Sequence, residues 1–166
     1  MQVEAAEIAS PVGGWCLAAS TQGVCLLHLE ADWDAVGASL ARRFGPVSLR
    51  DAKDPWEAVS RLAAYFAGDL RAIDAIPVDT GGTPFQRSVW SALRGIAAGR
   101  TTCYSELAAR IGRPSAVRAV GAANGANPVA VIVPCHRVIG KDGGLTGYGG
   151  GLERKAWLLR HEGVIF

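Results

Sequence analysis

The residues with the most chemical capability in this chain are Cys135 and His136, in the stretch PCHRV that follows the apolar run VIV. A thiol becomes a nucleophile when a nearby base takes its proton, and histidine is a common base for this purpose. Burial in the apolar run would by itself raise the pKa of the thiol and leave the cysteine inert. Adjacent side chains on an extended strand point to opposite faces. A functional pair therefore needs a turn at Pro134 and Cys135, or a bridging water; a core cysteine beside an unrelated histidine is the alternative.

A third group, an acid, is expected to orient the imidazole if the pair is functional. Residues 82–166 contain four acids, Glu106, Asp142, Glu153 and Glu162. Glu162 stands at the end of the last predicted helix, after a long return segment that could bring it back under the apolar run that precedes Cys135. Spacing alone leaves open an exposed acid at a helix end.

The N-terminal part of the chain has the pattern of a small α/β domain. Its first 30 residues alternate short apolar runs with turn residues, which predicts a strand meander. The order Asp54, Pro55, Glu57 is typical of a helix start and predicts a helix over 55–67, ended by Gly68. The segment WDAVGASLARRF is compatible with another helix.

A domain boundary is predicted near residue 80. The segment LRAIDAIPVDTGG interrupts the pattern with proline and paired glycines. Residues 1–81 contain 6 Lys and Arg and 11 Asp and Glu, whereas residues 82–166 contain 11 Lys and Arg and 4 Asp and Glu. Such asymmetry indicates that the basic half contacts nucleic acid, with ordinary surface charge as the alternative. The predicted domains are residues 1–80 and 81–166.

The second half reads as a series of helices. Thr83 and Gln86 form a capping-box pattern before a helix that runs to about Ala97. TTCYSELAARIG and AVRAVGAANG predict two short helices joined by RPS, which fits a helix-turn-helix, although helical hairpins also occur in proteins that bind no DNA. LERKAWLLRHE predicts a last helix. The predicted fold is an N-terminal α/β domain with a short antiparallel sheet, followed by a mostly α-helical domain.

The second helix of this pair is built almost entirely from small residues. Arg118 is its one long polar side chain, so it is poorly suited to reading base edges in the major groove. A thin helix with one arginine favours close approach to the backbone or the minor groove. The small residues are Ala116, Ala119, Gly121, Ala122 and Ala123.

Several other classes of protein are not indicated. The four cysteines form no CxxC motif, and Cys25 and His28 have no second pair, so neither a disulfide framework nor a metal site is predicted. The glycine-rich stretch GKDGGLTGYGGGLERK lacks a phosphate-binding pattern, and no cofactor is expected. With no long apolar run and no secretory signal pattern, we expect a monomeric cytoplasmic protein without membrane contact.

The motifs PCHRVIG, VRAVGAANG and YSELA, followed by GGLTGYGGGLERKAWLLRHEG, together resemble the O6-alkylguanine-DNA alkyltransferase family. The resemblance extends over residues 83–163, and the first half is similar only in outline. It implies repair of double-stranded DNA that contains O6-alkylguanine, by irreversible transfer of the alkyl group to a cysteine thiolate. Each molecule would act once, on a base flipped out through the minor groove.

The resemblance also implies roles for individual residues. Cys135 matches the alkyl acceptor, with His136 acting through a water and oriented by Glu162. Tyr104 matches a tyrosine that donates its phenolic proton toward the flipped guanine, and Asn127 an asparagine that ties the turn around the cysteine. Arg118 matches the arginine that fills the gap in the base stack. The remaining implied residues are Ser115, Ala116, Ala119, Gly121 and Ala122 on the DNA-binding helix and Pro134, Val138, Tyr148 and Gly149 around the substrate pocket.

Two departures from the family pattern concern substrate breadth. Cys103 stands before Tyr104 where serine is expected, and Gly149 follows Tyr148 where a bulkier or hydroxyl residue is common.

Two other functions stay open. A lesion-binding protein without alkyl-transfer activity would lack the acceptor cysteine, so Cys135 argues against it. A thiol hydrolase would use Cys, His and Glu but leave the helix-turn-helix and the basic half without a function.

Overall fold

A computed structural model describes residues 1–29 and 32–166. The chain forms two compact units, residues 1–82 with 128–132 and residues 83–127 with 133–166. The short segment that precedes Cys135 thus belongs to the first unit, although the residues on either side of it belong to the second. Within the described residues, no helix combines the length and hydrophobicity needed to span a bilayer.

The first unit contains a four-stranded sheet in the order β3-β2-β1-β4. Strands β1 (Gln2–Ser10), β2 (Gly13–Ala19) and β3 (Val24–Leu29) form the predicted antiparallel meander. Strand β4 (Ser48–Asp51) pairs with β1 in parallel, so the sheet is mixed and not antiparallel throughout. One face of the sheet is covered by helix α1 (Trp33–Phe44), which buries Val36 and Leu40.

The second helix of this unit starts later than the sequence predicts. Helix α2 spans Ala58–Phe66, after a 3-10 turn at Pro55–Glu57. Trp56 and Glu57 have φ angles of 56° and 57°, which ordinary helices do not allow. Asp54 nevertheless caps α2, because its carboxylate accepts hydrogen bonds from the backbone N–H groups of Val59 at 2.8 Å and Ser60 at 3.2 Å.

The second unit is mostly helical. Helix α3 (Pro84–Arg94) has the predicted capping box but ends three residues before Ala97. Helices α4 (Tyr104–Arg110) and α5 (Val117–Gly125) form the predicted helical pair, joined by residues 111–116, and α6 (Leu152–His161) is the predicted last helix. TTC does not begin a helix, since Thr102–Cys103 forms strand β5, which pairs in parallel with β6 (Val138–Ile139).

The apolar run VIV before Pro134 does not form a strand, and the chain turns at Cys135, as a functional Cys-His pair requires. Only Val138–Ile139 is extended; Cys135–Arg137 forms a 3-10 turn, and Val131 has a φ angle of 69°. Pro134 has no N–H to donate to a strand ladder, and this favours the turn. The segment is nonetheless buried, as its composition indicates.

Candidate active site

The 3-10 turn that begins at Cys135 presents the thiol. The backbone N–H of Cys135 donates to the carbonyl oxygen of Val133 at 2.8 Å, and that of Arg137 donates to the carbonyl oxygen of Pro134 at 3.0 Å. Cys135 is 8% exposed. The turn is the arrangement that the sequence analysis required for a functional Cys-His pair.

Two asparagines hold this turn from outside. Asn127 Nδ2 donates to the carbonyl oxygen of Val133 at 2.7 Å, and Asn124 Nδ2 reaches the carbonyl oxygen of Cys135 at 3.5 Å. Burial raises the pKa of the Cys135 thiol, and the hydrogen bond from Asn127 and the charge of Lys155 only partly oppose it. The resting thiol therefore keeps its proton until a base removes it.

His136 and Glu162 are in direct contact. The imidazole Nε2 lies 3.0 Å from Glu162 Oε2, and both side chains are fully buried. Arg137 binds the same carboxylate with two hydrogen bonds, from Nε to Oε1 at 2.9 Å and from Nη2 to Oε2 at 2.8 Å. Arg137 is fixed in turn by a bond from Nη1 to the carbonyl oxygen of Ile96. Residues from distant parts of the sequence thus form one buried hydrogen-bond network.

The charges in this hydrogen-bond network follow from burial and pairing. Burial alone would raise the pKa of the Glu162 carboxyl, but hydrogen bonds and charge from His136 and Arg137 bring that pKa well below its usual range. Burial lowers the pKa of His136 below 6.5 despite the opposing carboxylate of Glu162. The site consequently holds an ionised Glu162 and a neutral imidazole at neutral pH.

A neutral imidazole has one donor and one acceptor nitrogen. Because Nε2 faces the ionised carboxylate of Glu162, we assign the ring proton to Nε2 and the acceptor to Nδ1. Nδ1 is buried and has no hydrogen-bond partner among the described residues. It is the basic atom that the site leaves free to receive a proton.

Lys155 connects the cysteine turn to the glycine-rich loop of residues 140–151. Its buried ammonium donates to the carbonyl oxygens of Val138 and Thr146, each at 2.6 Å. Burial lowers the pKa of Lys155, while Cys135 opposes that shift. In the same loop, burial raises the pKa of Tyr148 well above its usual value, with further contributions from Cys135 and Glu162.

The other predicted pocket residues lie around this turn and loop. Pro134 and Val138 are buried on either side of the Cys135–Arg137 turn, and Gly149 is exposed beside Tyr148. At the start of α4, the Tyr104 hydroxyl lies 3.2 Å from Thr146 Oγ1.

The predicted DNA-binding residues lie at one surface of α5 and of the turn before it. Arg118, Ala119 and Ala122 are exposed on the helix, and Ser115 is exposed in the turn. Ala116 and Gly121 are half-buried. The opposite face of α5 packs inward through Val120, Ala123 and Asn124.

Sequence reasoning missed four residues of the site. The sequence analysis assigned no role to Arg137 and Lys155, yet each is buried and bonded to polar groups around Cys135. The one available signal was position, since Arg137 follows the Cys-His pair directly and Lys155 stands on the apolar side of the last helix. The missed residues are Asn124, Arg137, Thr146 and Lys155.

All four cysteines are buried free thiols. Residues 1–29 and 32–166 contain no group of three His, Cys, Asp or Glu side chains arranged to hold a metal ion. Within the part of the chain described, Cys135 is the thiol that lies next to a buried histidine held by a carboxylate.

Proteins of similar sequence are methyltransferases that act on methylated DNA and a protein cysteine, as their names state. Residues 84–164 match the family model for the DNA-binding domain of 6-O-methylguanine DNA methyltransferase. The methylated-DNA–protein-cysteine methyltransferase of Salmonella typhimurium (strain LT2) is 60% identical over 114 residues, which cover 69% of this chain and 67% of that protein. That of Mycolicibacterium paratuberculosis is 59% identical over 105 residues, 63% of each chain.

Solved structures extend the similarity to nearly the whole chain. The crystal structure of Mycobacterium tuberculosis OGT in complex with DNA has a TM-score of 0.77 at 41% identity and covers 98% of this chain and 92% of that one. The O6-methylguanine-DNA methyltransferase of Pyrococcus kodakaraensis has a TM-score of 0.75 at 25% identity, with 98% and 99% covered. The chain belongs to the methylated-DNA–protein-cysteine methyltransferase family, enzymes of DNA repair. The resemblance and the fold class predicted from the sequence are confirmed.

Proposed function

We propose that this chain repairs double-stranded DNA by transferring the alkyl group of O6-alkylguanine to Sγ of Cys135. The observation that carries the proposal is a 3-10 turn in which the buried Cys135 is followed directly by His136, a neutral imidazole whose Nε2 is bound by ionised Glu162. In the reaction, a bond forms between the sulfur and the alkyl carbon while the bond from that carbon to O6 breaks. Guanine leaves with the electron pair and is then protonated.

The proton of the thiol passes through a water to Nδ1 of His136. Nδ1 suits this role because it is the unpartnered buried nitrogen of the ring. The imidazolium that forms is stabilised by Glu162, whose carboxylate is fixed by Arg137. The base is therefore oriented before the substrate arrives, and the cost of orienting it is not added to the barrier of the reaction.

Each molecule acts once. The product is a thioether, and cellular thiol exchange cleaves disulfides but has no route to break a carbon–sulfur bond. The apolar residues Pro134 and Val138, with Tyr148 and Gly149, form the wall that receives the alkyl group and excludes competing water.

The base reaches the thiol by rotating out of the duplex through the minor groove. The exposed face of α5 carries only short side chains apart from Arg118, and this allows the helix to approach the groove closely. Arg118 enters the space left by the guanine and offsets part of the unstacking energy of a few kcal/mol. Ser115, Ala116, Ala119, Gly121 and Ala122 form the contact surface around it.

Tyr104 and Asn127 assist the transfer in different ways. The phenol of Tyr104 donates toward the flipped guanine and stabilises the negative charge that grows on the leaving base. Asn127 holds the cysteine turn in place through the carbonyl group of Val133.

One chain suffices for the reaction. Cys135, His136, Glu162, Tyr104 and Arg118 all belong to the unit of residues 83–127 and 133–166. We therefore assign DNA binding and alkyl acceptance to the domain of residues 81–166, apart from residues 128–132, which belong to the first unit. Residues 1–80 form the α/β domain, and the protein acts as a monomer.

Intact-mass measurement after incubation with an O6-methylguanine duplex tests this function. We expect a gain of one methylene on Cys135, located by peptide mapping, with Cys16, Cys25 and Cys103 unmodified as internal controls. Cys135→Ala is expected to bind the duplex without becoming labelled. Tight binding by the unmodified chain with no mass change would instead identify a lesion-binding protein, and turnover of a thioester would identify a hydrolase.

A further inference from the structure

Thr146, in the glycine-rich loop, is held in a defined position by its surroundings. Its carbonyl oxygen accepts a 2.6 Å hydrogen bond from Lys155, whose ammonium also binds the carbonyl oxygen of Val138. Its methyl group faces Gly140, where an added Cβ would lie 3.5 Å from Thr146 Cγ2. Backbone and methyl group together direct the hydroxyl of Thr146 to the Tyr104 hydroxyl, 3.2 Å away.

Tyr104 is fixed from the other side. The strand β5 that precedes it pairs with β6, which follows the cysteine turn. Its ring lies over α5 at Gly121, where an added Cβ would be 3.8 Å from Tyr104 Cδ1. This packing restricts the ring, whereas the phenol O–H can still rotate and point its proton in different directions.

We propose that Thr146 is a positioning residue that sets the hydrogen-bond direction of the Tyr104 phenol for alkyl transfer. The inference rests on the proposed function. A phenol has one proton to donate and an oxygen that accepts. When Thr146 donates to that oxygen, the phenol proton is left for the guanine, and the bond to Thr146 stabilises the charge that the oxygen gains as it gives up its proton.

Thr146→Val tests this with little disturbance of the fold. Valine keeps the methyl group against Gly140 and leaves the carbonyl bond to Lys155 intact, and the position is exposed. Only the hydroxyl is lost. We expect labelling of Cys135 by an O6-methylguanine duplex at saturating protein to slow about tenfold, the effect of a hydrogen bond to a group that gains charge. Affinity for the duplex is expected to change little.

Three further variants make the result specific. Thr146→Ser restores a hydroxyl and is expected to recover most of the rate. In a Tyr104→Phe background, Thr146→Val is expected to have no further effect, because the phenol that it acts on is gone. Thr21→Val, in an exposed turn of the first unit, controls for loss of a surface hydroxyl.

The inference is overturned if wild type is labelled and Thr146→Val is labelled equally fast, or if the valine slows the Tyr104→Phe protein by the same factor as wild type. Failure of serine to recover the rate would also overturn it. Absence of any label on wild-type Cys135 would instead refute the proposed function, and this inference with it.

Discussion

At the scale of single residues, the site keeps a thiol protonated and a base neutral in the same buried environment. Burial disfavours the charged forms of both Cys135 and His136, so it raises the thiol pKa and lowers the imidazole pKa. Glu162 stays charged there because Arg137 binds it with two hydrogen bonds. In the proposed reaction, the barrier to thiolate formation is therefore reduced by the oriented base His136 and not by a thiol that is already ionised.

The rate of Cys135 alkylation should depend on pH through His136. Because burial lowers the imidazole pKa below 6.5, the base remains neutral at that pH, and we expect the rate to decline only at lower pH. Single-turnover labelling across this range, with circular dichroism to verify the fold at each pH, provides the measurement. A rate that already declines above pH 6.5 would mean that the imidazole pKa is not lowered.

The folded state should also lose stability as the pH falls, which is why the circular dichroism control is needed. The unfolded chain binds a proton at His136 below pH 6.5 and at Glu162 below pH 4.5, whereas the folded chain, with both pKa values lowered, binds these protons only at lower pH. Stability is therefore lost as the pH falls through these values.

At the scale of elements, α5 separates two tasks between its faces. The inward face packs through Val120, Ala123 and Asn124, and the carbonyl oxygen of Ala123 accepts a hydrogen bond from Trp90 Nε1 of α3 at 2.8 Å. The outward face carries Arg118 among short side chains. If the outward face contacts DNA as proposed, substitutions there should change DNA binding without altering the core.

Arg118→Ala should slow alkylation of duplex DNA by about tenfold, an estimate based on the loss of a group that offsets a few kcal/mol of unstacking. Alkylation of a single-stranded oligonucleotide, whose base need not leave a duplex, should change much less. Thermal unfolding should be unchanged because Arg118 is exposed. Arg71→Ala, at a highly exposed site of the first unit, is the matched control. An equal decrease in the alkylation rate on duplex and single-stranded substrates would contradict the proposal that Arg118 fills the gap in the base stack.

At the scale of the whole molecule, the chain enters the first unit twice. Residues 128–132 belong to that unit, with the backbone N–H of Leu27 donating to the carbonyl oxygen of Pro128 at 3.0 Å and that of Ala130 donating to Leu27 at 3.2 Å. Val129 and Val131 are fully buried there. Since Cys135 follows within a few residues, the first unit fixes one end of the segment that carries the thiol.

A polypeptide of residues 83–166 should therefore be less stable than the full chain. It exposes Val129 and Val131, each worth about 1.5–3 kcal/mol when buried. We expect a lower unfolding temperature and slower labelling of Cys135, with partial recovery when residues 1–82 are added as a separate polypeptide. Labelling of the fragment at the rate of the full chain would show that the first unit does not support the acceptor segment.

Elements that depend on local signals could be predicted from the order of residues alone. The capping box at Thr83 and Gln86 and the alternation of the first three strands each depend on neighbouring residues, so they could be read from the chain. The motif around Cys135 likewise identified the family. Glu162 was selected among four acids, and the structure brings it to His136.

Tertiary structure decided what depends on distant contacts. The parallel pairing of β4 and the short strand β5 could not be read locally, because each needs a partner remote in sequence. Nothing in the local sequence indicated that Arg137 and Lys155 are buried, yet the fold buries both against specific oxygen atoms. A charged side chain is buried only where partners from other segments compensate its desolvation, and those partners are known only once the chain has folded.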